Sequence, residues 1–288
     1  MKSIKAFLGG ELSDQTVLCT ALAAARPLAG HIESLHVQLS AAEAAVFTPH
    51  MEFATGAAIK NGLDTLEMDV AARSRGALGH YRLFLGQNRI EERERPAVST
   101  GVSMSYREER QRKGADCIVR EARYSDLAVM ARAEDSNGFP DNLIEQVLMQ
   151  SGRPLLLAPV RPPEQLTGTV LLLWKDTVNS ARAMSAAMPL LCTSERVVII
   201  GCEDSDSSPD GLQRLKQQLA WSGVEAETMW YPGREQSVSE RLEQVALQYD
   251  ADLLVMGAYS RSRTGEMLFG GCTRQILRHS AFPVLLMH

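Results

Sequence analysis

The sequence contains no apolar run near the roughly 18–20 residues that a membrane-spanning helix needs. It also has no excess of basic charge, because 30 lysines and arginines stand against 35 acidic residues and give a net charge of −5. This balance argues against non-specific binding of nucleic acid. The five cysteines lie far apart and form no CxxC pair, so we expect reduced, buried thiols in a cytoplasmic protein.

Several catalytic motifs are also missing from the chain. There is no Gly-x-Ser-x-Gly nucleophile elbow and no Walker A sequence. The six histidines show no metal-ligand spacing, so we expect no metal site. No general base for hydrolysis is visible, and we therefore expect no enzymatic activity beyond slow hydrolysis of a bound ligand.

Two long segments of the sequence match each other. The first begins Asp126-Leu-Ala-Val-Met and reaches Ser151-Gly-Arg-Pro, and the second begins Asp252-Leu-Leu-Val-Met and reaches Ser280-Ala-Phe-Pro. Each pairs a buried strand with a later Ser-x-x-Pro and a last apolar strand, so the repetition predicts two similar domains. The two aspartates are expected to cap turns at the strand starts.

The order of apolar runs and amphipathic segments in the second repeat is β-α-β-α-β-α-β-α-β. This order predicts a parallel, doubly wound α/β sheet. The first repeat follows the same plan, except that residues 41–96 are Ala-rich and read as a long helical insertion ending in a charged, solvated helix end at 89–95. The predicted domains are residues 1–160 and 169–288, joined by a linker at 161–168 that contains Pro and polar residues.

The segment after the predicted strand 253–256 is the most informative one. Gly257 begins a loop, and Gly270-Gly271 begins a predicted helix. The nine residues 261–269 lie directly before Gly270. Backbone N–H groups and the dipole at a helix start attract phosphate, and glycine lets the chain pass close to a ligand. Arg261 and Arg263 in the loop suit phosphate as well, with two exposed surface arginines as the alternative.

This order of elements and this motif resemble the universal stress protein family in its tandem two-domain form. The resemblance implies two Rossmann-like domains of the adenine nucleotide alpha hydrolase type, each a five-stranded parallel sheet flanked by helices. It also implies a cytoplasmic stress-response protein that binds ATP, with Mg²⁺, as a sensor or regulator. In the family's nucleotide-binding members, Gly-x-x-Gly, nine residues and then Gly-Ser or Gly-Thr hold the phosphates, and an aspartate ending the first strand helps hold the adenine.

The chain keeps this motif only in part. Gly257 and Gly270 fit the first and third glycines, whereas Ser260 replaces the second glycine and Gly271 replaces the hydroxyl residue. The Thr273 hydroxyl is a candidate substitute for the one that is lost.

The adenine side of the site leaves two alignments open. Matching Trp174 and Ala181-Arg182-Ala183 to the family places Lys175 at the aspartate position, and a shift of one residue places Asp176 there. Cys202 ends the second strand, where the family often lines the adenine with a valine, and a structural thiol is the alternative role. The candidate nucleotide-binding residues are therefore Lys175, Asp176, Cys202, Gly257, Ser260, Arg261, Arg263, Gly270, Gly271, Cys272 and Thr273.

The corresponding loop of the first repeat, residues 131–141, differs in chemistry. It has one glycine and three carboxylates, which repel phosphate, and Pro140 lacks a backbone donor. We therefore expect the first domain to be degenerate and not to bind ATP.

The departures from the family motif keep a second function open, namely a nucleotide-independent module that binds an unknown protein partner. The resemblance also implies that the last strands of the two domains, residues 155–158 and Val284–Met287, pair edge to edge. Such pairing would make the chain an intramolecular pseudo-dimer and remove two exposed strand edges. Homodimerisation is a further expectation on top of it.

Overall fold

The computed structural model describes residues 1–38, 57–95, 101–110, 114–132, 142–203, 207–231, 238–258, 276 and 280–288. The strands are β1 (Ser3–Leu8), β2 (His31–Gln38), β3 (Glu91–Glu92), β4 (Ser103–Arg110), β5 (Leu127–Met130), β6 (Leu155–Leu157), β7 (Thr169–Leu173), β8 (Arg196–Cys202), β9 (Ala226–Tyr231), β10 (Leu253–Gly257) and β11 (Val284–Met287). The helices are α1 (Ser13–Ala25), α2 (Ala57–Asn88), α3 (Gly114–Ala122), α4 (Leu143–Gln150), α5 (Val178–Leu191), α6 (Pro209–Ala220) and α7 (Val238–Gln248).

All of these strands lie in one sheet in the order β3-β4-β2-β1-β5-β6-β11-β10-β7-β8-β9. We call β1–β6 with α1–α4 the first half and β7–β11 with α5–α7 the second half. The pairs within each half are parallel, while β6 and β11 pair antiparallel at the centre with Leu156 opposite Leu285. The predicted α/β fold in tandem and the predicted pairing of the two last strands are therefore confirmed. Because the central pair is antiparallel, the strands of the two halves end at opposite edges of the sheet.

Helices cover both faces of the sheet, as continuous apolar strands require. Alternation along β7 places Val170 and Leu172 in the core under α1, α2, α5 and α6, and places Leu171 in the core under α3, α4 and α7. The long helix α2 contributes Ala77, Tyr81 and Phe84 to the first of these cores. Their i, i+4, i+7 spacing puts the three side chains on one side of the helix.

The two aspartates of the repeat make the same contact in both halves. Asp126 Oδ2 accepts from the backbone N–H of Ser3 at 3.0 Å, and Asp252 Oδ2 accepts from that of Thr169 at 2.7 Å. Each carboxylate fixes the start of its domain's first strand, which is a contact between distant segments and not the local cap that the sequence predicted. The contact also makes Ser3 and Thr169 equivalent positions, and it sets the comparison of the two halves below.

The two Ser-x-x-Pro motifs are equally alike. Ser151 Oγ and Ser280 Oγ each accept from the backbone N–H two residues on, at 3.1 and 3.2 Å. The carbonyls of Pro154 and Pro283 then accept from the neighbouring strands β5 and β10 at 3.1 and 2.9 Å. The motif therefore turns the chain out of a helix and starts the last strand of each half.

The insertion predicted at residues 41–96 is helical over α2, while residues 39–56 lie outside the described part of the chain. The prediction of a helix end at 89–95 is wrong. Arg89 has a φ of 52°, which ends α2, and Glu91–Glu92 then pair with β4 as the short edge strand β3. Backbone hydrogen bonds to β4 decide this conformation, and charge patterning does not reveal them.

The cysteines of the described residues are all free, but they differ in exposure. Cys117 is buried, Cys19 and Cys202 are half-buried, and Cys192 is exposed, so the expectation of buried thiols is wrong for Cys192. Of the helices that the structure describes, none combines the length and apolar character of a membrane-spanning segment.

Candidate functional site

The carboxyl ends of β10, β7 and β8 form the edge where the sequence predicts the nucleotide site. Pairing places Leu173 beside Met256 on one side and beside Ile200 on the other. Lys175 and Cys202, each two residues further along, are therefore level with each other on this edge. After β7 the sheet grows outward through β8, whereas β10 lies on the other side of β7. This edge is the switch point at which open α/β sheets bind ligands.

The turn between β7 and α5 places a capped helix N-terminus at this edge. Thr177 is the N-cap, and its side chain accepts from the backbone N–H of Ser180 at 3.3 Å. Ser180 Oγ in turn accepts from the N–H of Lys175 at 3.4 Å. Lys175 is half-buried at this turn, whereas Asp176 is exposed.

Gly257, the first glycine of the motif, packs against the start of α5. A Cβ atom at this position would lie 2.5 Å from the backbone nitrogen of Ser180, a distance that atoms in proteins do not reach. Asn179 Nδ2 also donates to the carbonyl of Ala258 at 2.6 Å. Sequence reasoning assigned this glycine to the approach of a phosphate, and the structure shows a packing reason for the missing side chain.

The remaining candidate residues divide by whether the structure describes them. Cys202 is half-buried at the end of β8, on the edge that carries Lys175 and Gly257. The other candidates lie outside the described residues, as does the predicted helix start at Gly271: Ser260, Arg261, Arg263, Gly270, Gly271, Cys272 and Thr273.

The same turn in the first half is held by a buried carboxylate. Asp14 is equivalent to Ser180, and its two oxygens accept from the backbone N–H groups of Gly9 and Gly10 at 2.8 and 2.9 Å. Gly9 is thus equivalent to Lys175, so neither half has an aspartate at this position. The first half instead has a carboxylate at Asp14, and this group binds backbone N–H groups of the same turn.

Helix α2 covers this turn. Gly10 has a φ of 83°, and a Cβ there would lie 2.2 Å from the carbonyl oxygen of Arg73 on α2. His80, also on α2, has its Nδ1 3.1 Å from Asp14 Oδ2. Burial raises the pKa of Asp14, and the contacts with His80, Gly9 and Gly10 oppose the rise. Together these contacts join α2 to the edge of the first half that corresponds to the nucleotide edge of the second.

Sequence reasoning missed a buried ionic network on the other face of the first half. Lys5, only 2% exposed, has its Nζ 3.1 Å from Glu33 and 3.0 Å from Glu121. Arg107 Nε lies 2.6 Å from Glu33, and the same guanidinium also binds Glu121 and Glu109. The available signal was a charged residue inside an apolar strand, at Lys5 between Ile4 and Ala6.

The network changes the acidity of its carboxyl groups. Burial by itself would raise the pKa values of Glu33 and Glu121, but the hydrogen bonds and charges of Arg107 and Lys5 outweigh it and lower both. Both groups are therefore held as carboxylates, as a buried cluster with paired charges requires.

Comparison with known proteins gives one family match and several likenesses of fold. Residues 198–288 match the model of the universal stress protein family. No curated protein sequence matches the chain. A universal stress protein from Archaeoglobus fulgidus DSM 4304 superposes with a TM-score of 0.65 over 99% of this chain and 97% of that chain, at 14% identity.

Two solved structures from Pseudomonas aeruginosa resemble the chain over its full length. A functionally unknown protein from strain PAO1 has a TM-score of 0.59 at 14% identity and covers 100% of this chain and 92% of that one. A protein from strain UCBPP-PA14, described as a universal stress protein, has a TM-score of 0.58 at 15% identity and covers 100% and 93%. At these identities the likeness shows the fold. The family match therefore lies in the second half, and the whole chain has the fold of these tandem structures.

Proposed function

We propose that the protein is a stress-response sensor or regulator whose second half binds an adenine nucleotide at the carboxyl edge of β7, β8 and β10. The observation that carries this proposal is the meeting of Lys175, Cys202 and the end of β10 at the switch point, beside the N-terminus of α5. The positive end of a helix dipole favours phosphate, and Lys175 lies at the strand end where the family places an aspartate beside the adenine.

Within this proposal the loop after β10 holds the phosphates and the strand ends hold the base. Gly270, Gly271 and Thr273 would supply the backbone and hydroxyl contacts, and Arg261 and Arg263 would supply the charge that balances the phosphates together with Mg²⁺. Lys175 and Cys202 would face the nucleoside. Asp176 is exposed, which favours Lys175 at this place.

The covered turn of the first half supports a single nucleotide site per chain. Helix α2 lies within contact distance of Gly10 and Asp14 there. A nucleotide at that edge would have to displace α2, which is tied to the core by Ala77, Tyr81 and Phe84. We therefore propose that the first half acts as a structural partner of the second.

A partner-binding module without a nucleotide is the second candidate function. Gly257 favours it, because the close packing on Ser180 explains this glycine without a ligand. If packing alone requires a glycine at position 257, the spacing between Gly257 and Gly270 is weaker support for a phosphate-binding motif.

Calorimetry with ATP and Mg²⁺ separates the two candidates. Lys175→Asp restores the carboxylate that the family places beside the adenine and should strengthen binding about tenfold, the effect of roughly 1.4 kcal/mol. Lys216→Asp makes the same change on the exposed surface of α6 and should bind as the wild type does. Gly270→Val should abolish binding by blocking the loop.

Three results would distinguish the candidates. Adenine absorbance released from the denatured wild-type protein supports the nucleotide site. Equal binding by the wild type, Lys175→Asp and Gly270→Val shows that the site is assigned wrongly. No released adenine and no thermal shift with ATP and Mg²⁺ favours the partner-binding module.

A further inference from the structure

A cavity of about 820 Å³ lies in the first half, at the amino ends of β1, β2 and β4. Its volume falls within the range of roughly 300–1,000 Å³ that small-molecule sites occupy. His31, Ser103 and Ser105 are among the lining residues that come from the sheet, and Lys2 and Arg95 lie among those from the flanking segments. The cavity is at the edge of the first half opposite to the one that α2 covers.

The floor of the cavity is an imidazole held between two hydroxyl groups. Pairing sets His31 beside Ser103 and places Ser105 two residues further along β4. His31 Nδ1 lies 3.0 Å from Ser103 Oγ, and its Nε2 lies 3.0 Å from Ser105 Oγ. Since a hydroxyl has one donor and two acceptor positions, each serine keeps hydrogen-bonding capacity beyond its contact with the ring.

The acidic groups on the cavity wall already have partners. Glu33 is bound by Lys5 and Arg107. Asp126 Oδ2 accepts from the backbone N–H groups of Lys2 and Ser3 at 2.6 and 3.0 Å. Glu94 is exposed, so its charge is screened by water. The carboxylates of the wall therefore leave little negative charge to repel an anion.

The basic groups of the wall differ in their partners. Arg93 and Arg107 are ion-paired with glutamates. Lys2 Nζ donates to the backbone carbonyl of Leu28, which carries no net charge. Arg95 forms no ion pair with any residue that the structure describes. The side chains of Lys2 and Arg95 are exposed and line the cavity, so they place positive charge at its rim.

We propose that this cavity binds a small hydroxylated organic anion. Its carboxylate or phosphate group would lie against Lys2 and Arg95, and its hydroxyl groups would bond to Ser103, His31 and Ser105. The cationic rim complements the anionic group of such a ligand, and the hydroxyl and imidazole groups of the floor can hydrogen-bond to its hydroxyl groups.

The cavity is a property of the first half. In the second half Arg196 takes the position of His31, because Thr169 pairs with Arg196 as Ser3 pairs with His31. Arg196 forms two hydrogen bonds with Glu227 at 2.9 and 2.8 Å. This pair replaces the imidazole and hydroxyls, so among the described residues of the second half the proposed site has no counterpart.

The ring C–H resonances of His31 in the full-length protein report on this site by NMR. His31→Asn identifies them by their disappearance. The probes are glycerol 3-phosphate and glycerate, which join a phosphate or a carboxylate to a similar body, with glycerol as the neutral control. We expect a saturable shift of the His31 signals with at least one anion and none with glycerol. A response to only one anion identifies the head group.

Charge variants test the rim. The double variant Lys2→Gln/Arg95→Gln changes two exposed residues and should weaken the anion about tenfold, which corresponds to roughly 1.4 kcal/mol. Arg214→Gln removes one charge from the exposed surface of α6 and should leave the affinity unchanged. The proposal is overturned by the absence of a shift with both anions, by an equal shift with glycerol, or by unaltered affinity in the double variant.

Discussion

Apart from the edge strand β3, the two halves of the sheet have the same order of strands, but some equivalent strand positions carry charged side chains in the first half and apolar ones in the second. By the equivalence of Ser3 and Thr169, Lys5 corresponds to Leu171, and its neighbour Glu33 corresponds to Val198. Lys5 is 2% exposed, whereas Leu171 and Val198 are fully buried core residues. The comparison shows that this position accepts either an apolar pair or an ionic pair, provided that every buried charge finds its partner.

The halves also differ in what lies over the turn after the first strand. Asp14 and α2 close that turn in the first half, while in the second half Ser180 holds the turn and Asp176 stays exposed. The same fold thus has one covered edge and one edge that carries the candidate nucleotide site. A single inserted helix accounts for the difference.

Changes in the buried ionic network around Lys5 should have the largest effect on the free energy of unfolding. Lys5→Leu introduces the residue of the second half but leaves Glu33 and Glu121 with only Arg107, and it should lower the free energy of unfolding by about 3–5 kcal/mol. The double variant Lys5→Leu/Glu33→Val copies both residues of the second half and should recover roughly half of the loss. Urea denaturation followed by circular dichroism measures both. A double variant less stable than Lys5→Leu would contradict the equivalence of the two layers.

Substitution in the turn that α2 covers, at Gly10, should have the second largest effect on stability. Gly10→Ala combines a left-handed backbone with a Cβ 2.2 Å from the Arg73 carbonyl and should lower stability by about 2–4 kcal/mol. Gly152→Ala is the matched control, because Gly152 has a φ of 68° but no atom within 4 Å of the added carbon. Its cost should be about 1–2 kcal/mol. Equal losses in thermal denaturation would show that α2 does not press on Gly10.

Substitution of Asp126 or Asp252 should have the smallest effect on the free energy of unfolding. These variants test a contact that both halves share. Asp126→Ala removes the acceptor of two backbone N–H groups and Asp252→Ala removes the acceptor of one. Each should lower the free energy of unfolding by about 1 kcal/mol, with Asp126→Ala the larger of the two. Asn at either position keeps an oxygen acceptor and should recover most of the loss. An effect confined to one half would break the proposed equivalence of Ser3 and Thr169.

Sequence reasoning located most elements because their apolar patterns are local. The strand Val284–Met287 agrees with the prediction residue for residue, since it is a short apolar run that directly follows a proline. Sequence reasoning missed β3 because Glu91–Glu92 are charged and owe their conformation to hydrogen bonds with β4. Propensity cannot show a contact with a distant strand.

The candidate site was predictable only as a set of strand ends. The positions of Lys175, Cys202 and Gly257 on one edge follow from the order of parallel strands, which the sequence indicates. The packing of Gly257 on Ser180 and the cover of α2 over Gly10 do not follow from it, because both depend on how helices sit on the sheet.

The amino-acid sequence by itself determined the repeat and the α/β plan, because hydrophobic periodicity and the Asp and Ser-x-x-Pro signals are written in neighbouring residues, whereas the pairing of the two last strands was expected only from the family resemblance. Only the tertiary structure decided which edge is covered, which charges are buried and where a cavity opens. Those features arise between Lys5 and Glu121, or between Gly10 and Arg73, and residues so far apart in the chain meet only when the whole sheet is packed.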